Sequence, residues 1–183
     1  MSDTPRDGAR GGGPVGKVVN VIVAGLGGQG VIKASDILAD AAFRAGHDVK
    51  KAEVHGMSQR GGAVTSDVRF GPAVLSPMIP SGEADFLVVL EPSEVAVTRS
   101  LLAKGGVLIP PGAVPEERLA NRRSLNVALL GVLSRRLDIP EEHWLAAVRA
   151  ALPERLHALN EAAFQLGRTA PAAPASPIPG AHP

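Results

Sequence analysis

Lys17-Val-Val-Asn-Val-Ile-Val-Ala24 is an almost unbroken β-branched run that stops at a glycine cluster, a pattern that predicts a central strand buried on both faces. From Gln29 to Ala45 the apolar positions fall at 31, 32, 34, 38, 41 and 42, the spacing of a helix, with Gly46 where its C-terminal cap belongs. His47 to Glu53 reads as a second strand. Ala63 to Phe70 reads as a half-exposed third, with Val64, Ser66, Val68 and Phe70 alternating against Thr65, Asp67 and Arg69. Asp85-Phe-Leu-Val-Val-Leu90 predicts another buried strand. Pro92 then opens a helix expected to reach about Ala103, Gly105-Gly106 ends it, and Val107-Leu-Ile109 supplies a short strand. Beyond the Pro110-Pro111 stop, an apolar helix is expected over Ser124 to Leu137, with two more starting near Pro140 and Pro153. Strands alternating with helices predict an α/β fold: a single Rossmann-like three-layer domain with a mostly parallel sheet and C-terminal helices.

Composition narrows this picture. Residues 1–16 are rich in Gly, Asp and Arg and residues 169–183 in Ala and Pro, so both are expected to be disordered tails around one domain at 17–168. With 19 basic and 18 acidic residues and aromatics at 3%, the chain lacks both a phosphate-tracking surface and base-stacking platforms, which argues against nucleic acid. No apolar run approaches the ~20 residues needed to span a bilayer, and the start lacks the order of a signal peptide, so a cytoplasmic protein with no membrane partner is expected. The absence of cysteine removes disulfides, thiolate-held iron–sulfur clusters and thiol catalysis from this chain. The five histidines, at 47, 55, 143, 157 and 182, form no metal-site spacing.

The candidate chemistry lies in two glycine-rich segments one βα unit apart. Gly25-Leu-Gly-Gly-Gln-Gly30 follows a strand and opens a helix, satisfying the dinucleotide fingerprint: a tight turn at Gly25, close backbone approach at Gly27, and free N–H groups at the helix start for an anion. Glu53 is placed to hold a ribose hydroxyl. The extra Gly28, the polar Gln29 and the lack of a second domain fit equally a close, amide-lined turn made for another purpose, and both readings stay open. The second segment, Glu53-Val-His-Gly-Met-Ser-Gln-Arg-Gly-Gly62, joins permissive glycines to a hydroxyl, an amide and a guanidinium. Arg60 suits a carboxylate or phosphate in bidentate geometry, or an ion pair that fixes the loop. His55 reads first as a hydrogen-bonded structural residue and Met57 as a packing or contact residue.

Taken in order, these segments with Asp67-Val-Arg69, Glu83-Ala-Asp-Phe-Leu-Val-Val-Leu-Glu-Pro92 and Asn126-Val-Ala-Leu-Leu-Gly131 resemble the gamma-type domain of 2-oxoacid:ferredoxin oxidoreductases. The wording of the second segment is most similar to the branch acting on aryl 2-oxoacids such as indolepyruvate. The resemblance implies a subunit with no catalytic residue and no metal or cofactor of its own. Thiamine diphosphate, Mg and [4Fe-4S] clusters would sit on a large alpha-type catalytic partner in a higher hetero-oligomer, with ferredoxin as electron acceptor. It also implies that Gly27, Gly28, Gln29 and Gly30, with Ser58, Gln59, Arg60, Gly61 and Gly62, lie nearest a shared cleft, with CoA as a possible contact. Asn126 is expected to tie a helix start to a neighbouring loop.

Overall fold

The computed structural model describes residues 16–56 and 61–171. Met57, Ser58, Gln59 and Arg60 lie outside the described residues, as do 1–15 and 172–183 of the two tails. The elements run β1 (Val19–Leu26), α1 (Val31–Arg44), β2 (Asp48–His55), β3 (Ala63–Gly71), β4 (Ala84–Val89), α2 (Pro92–Thr98), β5 (Leu102–Ile109), α3 (Leu125–Ser134), α4 (Glu141–Ala151) and α5 (His157–Thr169), with short 3₁₀ turns between them.

One five-stranded sheet carries them in the order β2-β3-β1-β4-β5. β1 pairs parallel with β4 and β4 with β5, whereas β3 is antiparallel to both β1 and β2. Thus β1, β2, β4 and β5 point the same way, as the alternating pattern predicts, and β3 alone is reversed. Its reversal follows from chain length: the connection from His55 to Ala63 is too short for a parallel crossover, which needs a dozen residues or more.

Alternation along β1 feeds two cores. Val21 and Val23 face α1 and the C-terminal helices, among Leu38, Leu129, Trp144 and Phe164, while Ile22 and Ala24 face a thinner layer with Ile79, Leu87 and Val89. Both sets are fully or almost fully buried, so the continuous apolar run is explained by two-sided burial, each such side chain contributing about 1.5–3 kcal/mol.

The thin layer combines Val95 of α2 and Leu101 just after it with the chain from Pro72 to Glu83, which side chains fasten to the sheet. Asp48 accepts from the Val74 N–H (2.7 Å), Asp67 from the Ile79 N–H (2.9 Å), and Arg69 Nη1 donates to the carbonyls of Ser76 (2.9 Å) and Met78 (3.1 Å). The Asp67-Val-Arg69 block is therefore a clamp. The Asp67 side of β3, expected to be solvent-facing, is covered by this loop, and Asp67 is only 6% exposed. Burial raises its carboxyl above the ordinary 3.8, against the lowering effects of the Ile79 hydrogen bond and the Arg69 charge. A raised native value means the folded state holds its proton to higher pH than the unfolded state, so stability falls as pH climbs from 3.8 through the raised value. Asp67→Asn keeps an acceptor for Ile79 and removes the titration. Denaturation midpoints across that window are expected to lose this downward step in the variant; a step of unchanged size would rule out Asp67 as its source.

The region after β4 departs from expectation. Helix α2 ends at Thr98, whose hydroxyl donates back to the Glu94 carbonyl (2.7 Å), and Gly105-Gly106 lie inside β5 instead of ending a helix. Ala84 pairs with Leu102 but Phe86 with Val107, so β5 carries extra residues in an irregular stretch. A Cβ on Gly106 would sit 2.8 Å from the Ala84 carbonyl oxygen, so glycine is required there by close strand approach. The glycine pair marks this crowding, and sequence alone does not distinguish that from a helix stop.

Candidate functional site

The two glycine segments meet. β1 and β3 pair through Leu26 and Ala63, and one step further the Gly27 N–H donates to the Gly62 carbonyl (2.9 Å). A Cβ on Gly27 would have Gly61 N at 3.5 Å, ordinary contact, so Gly27 is not demanded by the fold around it. Gly28 has φ +90° and open space about it. Gly27, Gly28, Gly61 and Gly62 thus form one exposed to half-exposed backbone surface at the carboxyl end of β1, where open α/β sheets bind ligands.

Gln29 holds this surface in shape. Its Oε1 accepts from the Leu26 N–H (2.8 Å), and its Nε2 donates to Glu91 Oε2 (2.7 Å) at the end of the β4 run. The polar residue that the dinucleotide fingerprint does not need is a clamp between two strand ends. Gly25 lies beneath it, where a Cβ would meet Gln29 Oε1 at 2.8 Å and Val31 and Leu90 at 3.0 Å. Gly30, at φ +85°, starts α1, and Asn126 Nδ2 donates to its carbonyl (3.2 Å) while Asn126 Oδ1 accepts from the Val127 N–H (2.8 Å). The tie from a helix start to a neighbouring loop is there as expected.

Glu53 does not serve the first turn. β3 lies between β2 and β1, whereas a dinucleotide fold sets the acid-bearing strand beside the first. Glu53 is engaged elsewhere: it accepts from Lys51 Nζ (2.7 Å), with His55 Nε2 3.5 Å from its other oxygen. The Lys51 hydrogen bond, more than the His55 contact, lowers its carboxyl below the ordinary value. Lys51 also meets Asp36 on α1, so a carboxylate–ammonium–carboxylate chain joins α1 to β2.

Beside Gly28, Gln29 and Gly30 opens a cleft of about 580 Å³, walled by the segments that lead into α3 and α5. Lys33, Arg122, Arg123 and Arg155 stand around it, and among the described residues no aspartate or glutamate lines it. Sequence reasoning missed this wall because its parts come from three distant stretches, one of them the irregular connection before Ser124. Among the described residues, no group of three or more His, Cys, Asp or Glu gathers as metal ligands, and no helix is long and apolar enough to cross a membrane.

Residues 20–115 match the family model described as pyruvate ferredoxin/flavodoxin oxidoreductase. The chain is 35% identical to indolepyruvate oxidoreductase subunit IorB of Thermococcus kodakarensis, over 82% of this chain and 95% of that protein. In structure it is similar to the gamma subunit of a keto/oxoacid ferredoxin oxidoreductase from Geobacter sulfurreducens (TM-score 0.69, 24% identity, 83% of this chain and 95% of that one). It also matches 31% of a chain of the 2-oxoglutarate:ferredoxin oxidoreductase from Magnetococcus marinus, solved with 2-oxoglutarate, coenzyme A and succinyl-CoA bound (TM-score 0.70, 22% identity, 84% of this chain). With its glycine turns, its clamps and its sheet order, the chain belongs to the pyruvate ferredoxin/flavodoxin oxidoreductase family and has the fold of that family's gamma subunits.

Proposed function

We propose that this chain is a subunit of a cytoplasmic 2-oxoacid:ferredoxin oxidoreductase that converts an aryl 2-oxoacid of the indolepyruvate type to its acyl-CoA, releasing carbon dioxide and passing electrons to ferredoxin. The observation that carries this reading is the identity to the Thermococcus kodakarensis subunit across 95% of its length. The chain has no cysteine, so thiolates for [4Fe-4S] clusters come from a partner, as do the ligands of thiamine diphosphate and its Mg. Thiamine diphosphate held by that partner would supply the nucleophile for the 2-oxo carbon. The task of this chain is to dock on that large alpha-type subunit and present its glycine surface to the acyl acceptor.

In this reading Gly28, Gly30, Gly61 and Gly62 bring backbone N–H groups close to an anion, Gly27, whose own N–H is spent on the Gly62 carbonyl, ties the two turns together, and Gln29 keeps the turn rigid. Ser58, Gln59 and Arg60 are the positions we assign to the cleft shared with the partner, with Arg60 directed to a CoA phosphate or the substrate carboxylate. Arg60→Ala in the assembled complex is expected to cost about 1.5–3 kcal/mol, roughly tenfold or more in apparent affinity, for whichever of the two it touches. Steady-state kinetics varying CoA and oxoacid separately identify which. Normal turnover in that variant would reduce the loop to a scaffold.

The reading as a whole is tested by tagging the chain in its native host and purifying it gently. A large partner holding thiamine diphosphate and iron–sulfur clusters, with CoA-dependent oxidation of arylpyruvates, is the expected result. A lone protein carrying NAD or FAD would sink it in favour of a dinucleotide enzyme.

A further inference from the structure

The two faces of the sheet are finished differently. On one side the helical layer turns Lys33, Arg44, Glu142 and Arg149 outward, with surface ion pairs such as Arg44–Asp40 (2.8 Å) and Arg149–Glu161 (2.6 Å). The other side has only the seven-residue α2, the short turn after it and the connection at 72–83. Residues 72–82 hold no charge, and the single charged residue of α2, Glu94, is half-buried. The exposed positions of α2 are Pro92, Ser93, Ala96 and Val97. A helix that faces water ordinarily turns charged and polar side chains outward.

Three of the five large apolar side chains exposed among the described residues stand on this thin side: Leu75 (97% exposed), Met78 (52%) and Val97 (68%). Scattered exposed apolar residues mean little, whereas an uncharged surface that gathers several of them marks a contact. The surface is also held in shape. Beyond the ties of Val74 to Asp48 and Ile79 to Asp67, the Gly82 N–H donates to the Leu101 carbonyl (3.2 Å). The connection is therefore fixed from β2 across to the turn between α2 and β5. A surface fastened in this way gives up little conformational freedom on binding.

We infer that this uncharged side, residues 72–82 with the outer face of α2, is where the large catalytic subunit docks, through an apolar, uncharged surface of its own. Continuity decides the occupant. α2 begins directly after Glu91, the residue that holds Gln29 of the glycine turn at 2.7 Å, so a subunit that covers the glycine surface continues onto α2 and the connection beside it. Arg99, exposed at the end of α2, takes the position of a rim residue, opposite which the partner supplies an acid. An apolar centre inside a polar rim is the ordinary build of a lasting interface. The inference rests on the reading of this chain as a subunit and adds which of its sides is covered.

The test places a charge on this face in the assembled enzyme. Leu75→Glu, Val97→Glu and, on the opposite layer, Phe43→Glu are each expressed with a tag in the native host, and dissociation of the purified complex on dilution is followed by mass photometry. Leu75→Glu and Val97→Glu are each expected to raise the dissociation constant about a hundredfold, because a lone carboxylate loses its water against an apolar surface. Phe43→Glu, at a position 69% exposed, is expected to leave it within about twofold. All three positions face solvent in the chain, and matching denaturation midpoints would confirm that the variants fold. High salt, which weakens charge-driven contacts, should leave wild-type assembly largely intact. Wild-type assembly matched by both Leu75→Glu and Val97→Glu would overturn the docking face and leave the subunit reading standing. Wild-type chain purified without any large subunit would overturn both. A dimer of this chain that both substitutions split, with the large subunit still bound, would assign the face to a second copy and also overturn the inference.

Discussion

Gly167→Ala is expected to destabilise the protein by about 3 kcal/mol, although alanine is the better helix former by about 1 kcal/mol. The sign is decided by where α5 crosses α3. A Cβ on Gly167 would stand 1.8 Å from the Ala128 carbonyl oxygen, and one on Gly131 would stand 2.1 Å from the carbonyl oxygen of Phe164. Both obstacles are backbone, so no change of side-chain rotamer relieves them and the helices themselves must separate. Separation would open the packing around Phe164, Leu129 and Trp144, all fully buried. In a domain of this size the loss corresponds to a fall of roughly 6–12 °C in Tm. Gly131→Ala should behave alike, and because the two glycines serve one crossing, the second substitution should cost less than the first. Chemical denaturation of both single variants and the double variant is the check. Stability unchanged or raised in Gly167→Ala would mean that the helices do not approach this closely.

The Gly131 result bears on how much the sequence could reveal. Asn126-Val-Ala-Leu-Leu-Gly131 reads as an apolar helix with an incidental glycine, because propensity and periodicity are local and helix–helix distance is not. The same limit explains the region after Pro92: Gly105-Gly106 resembles a helix stop, yet the crowding that requires Gly106 comes from the Ala84 carbonyl on another strand. By contrast β1, α1 and β4 were legible to within two or three residues, since each is a long run whose period is imposed by the core it faces. The reversed β3 was visible as a half-buried alternation, but its place between β1 and β2 is a fact of topology. At the site, the glycines could be read because tight backbone approach leaves few alternatives. The Gln29 clamp onto Glu91 spans 62 positions, and the cleft wall joins Lys33, Arg123 and Arg155. No window of sequence contains such a group.

Gly30→Ala should be the most damaging single change at the glycine turn, again about 3 kcal/mol, and its partner residue makes the cause separable. At φ +85° any L side chain carries a conformational cost of about 1–2 kcal/mol. The new Cβ would also fall 2.5 Å from Asn126 Nδ2. That amide is not free to swing aside, since it bonds the Gly30 carbonyl on one side and the Val127 N–H on the other, each bond contributing about 1 kcal/mol. Asn126→Ala alone should cost only about 1–2 kcal/mol, because the Gly30 carbonyl keeps its helical donor, Ala34 N (2.9 Å). In the double variant the clash is gone and Gly30→Ala adds only its backbone cost to that of Asn126→Ala, so the two changes should fall short of additivity by about 1–2 kcal/mol. Additivity to within 0.5 kcal/mol would show that Asn126 does not define the room at Gly30. The same cycle read in turnover of the complex tests function. If the turn presents N–H groups to an anion, Gly30→Ala should lower apparent CoA affinity more than it lowers folding stability, and Asn126→Ala should restore part of that affinity. The appearance of Gly25–Gly30 and Asn126–Gly131 together in the sequence then has a single physical cause: the second segment sets the shape of the first.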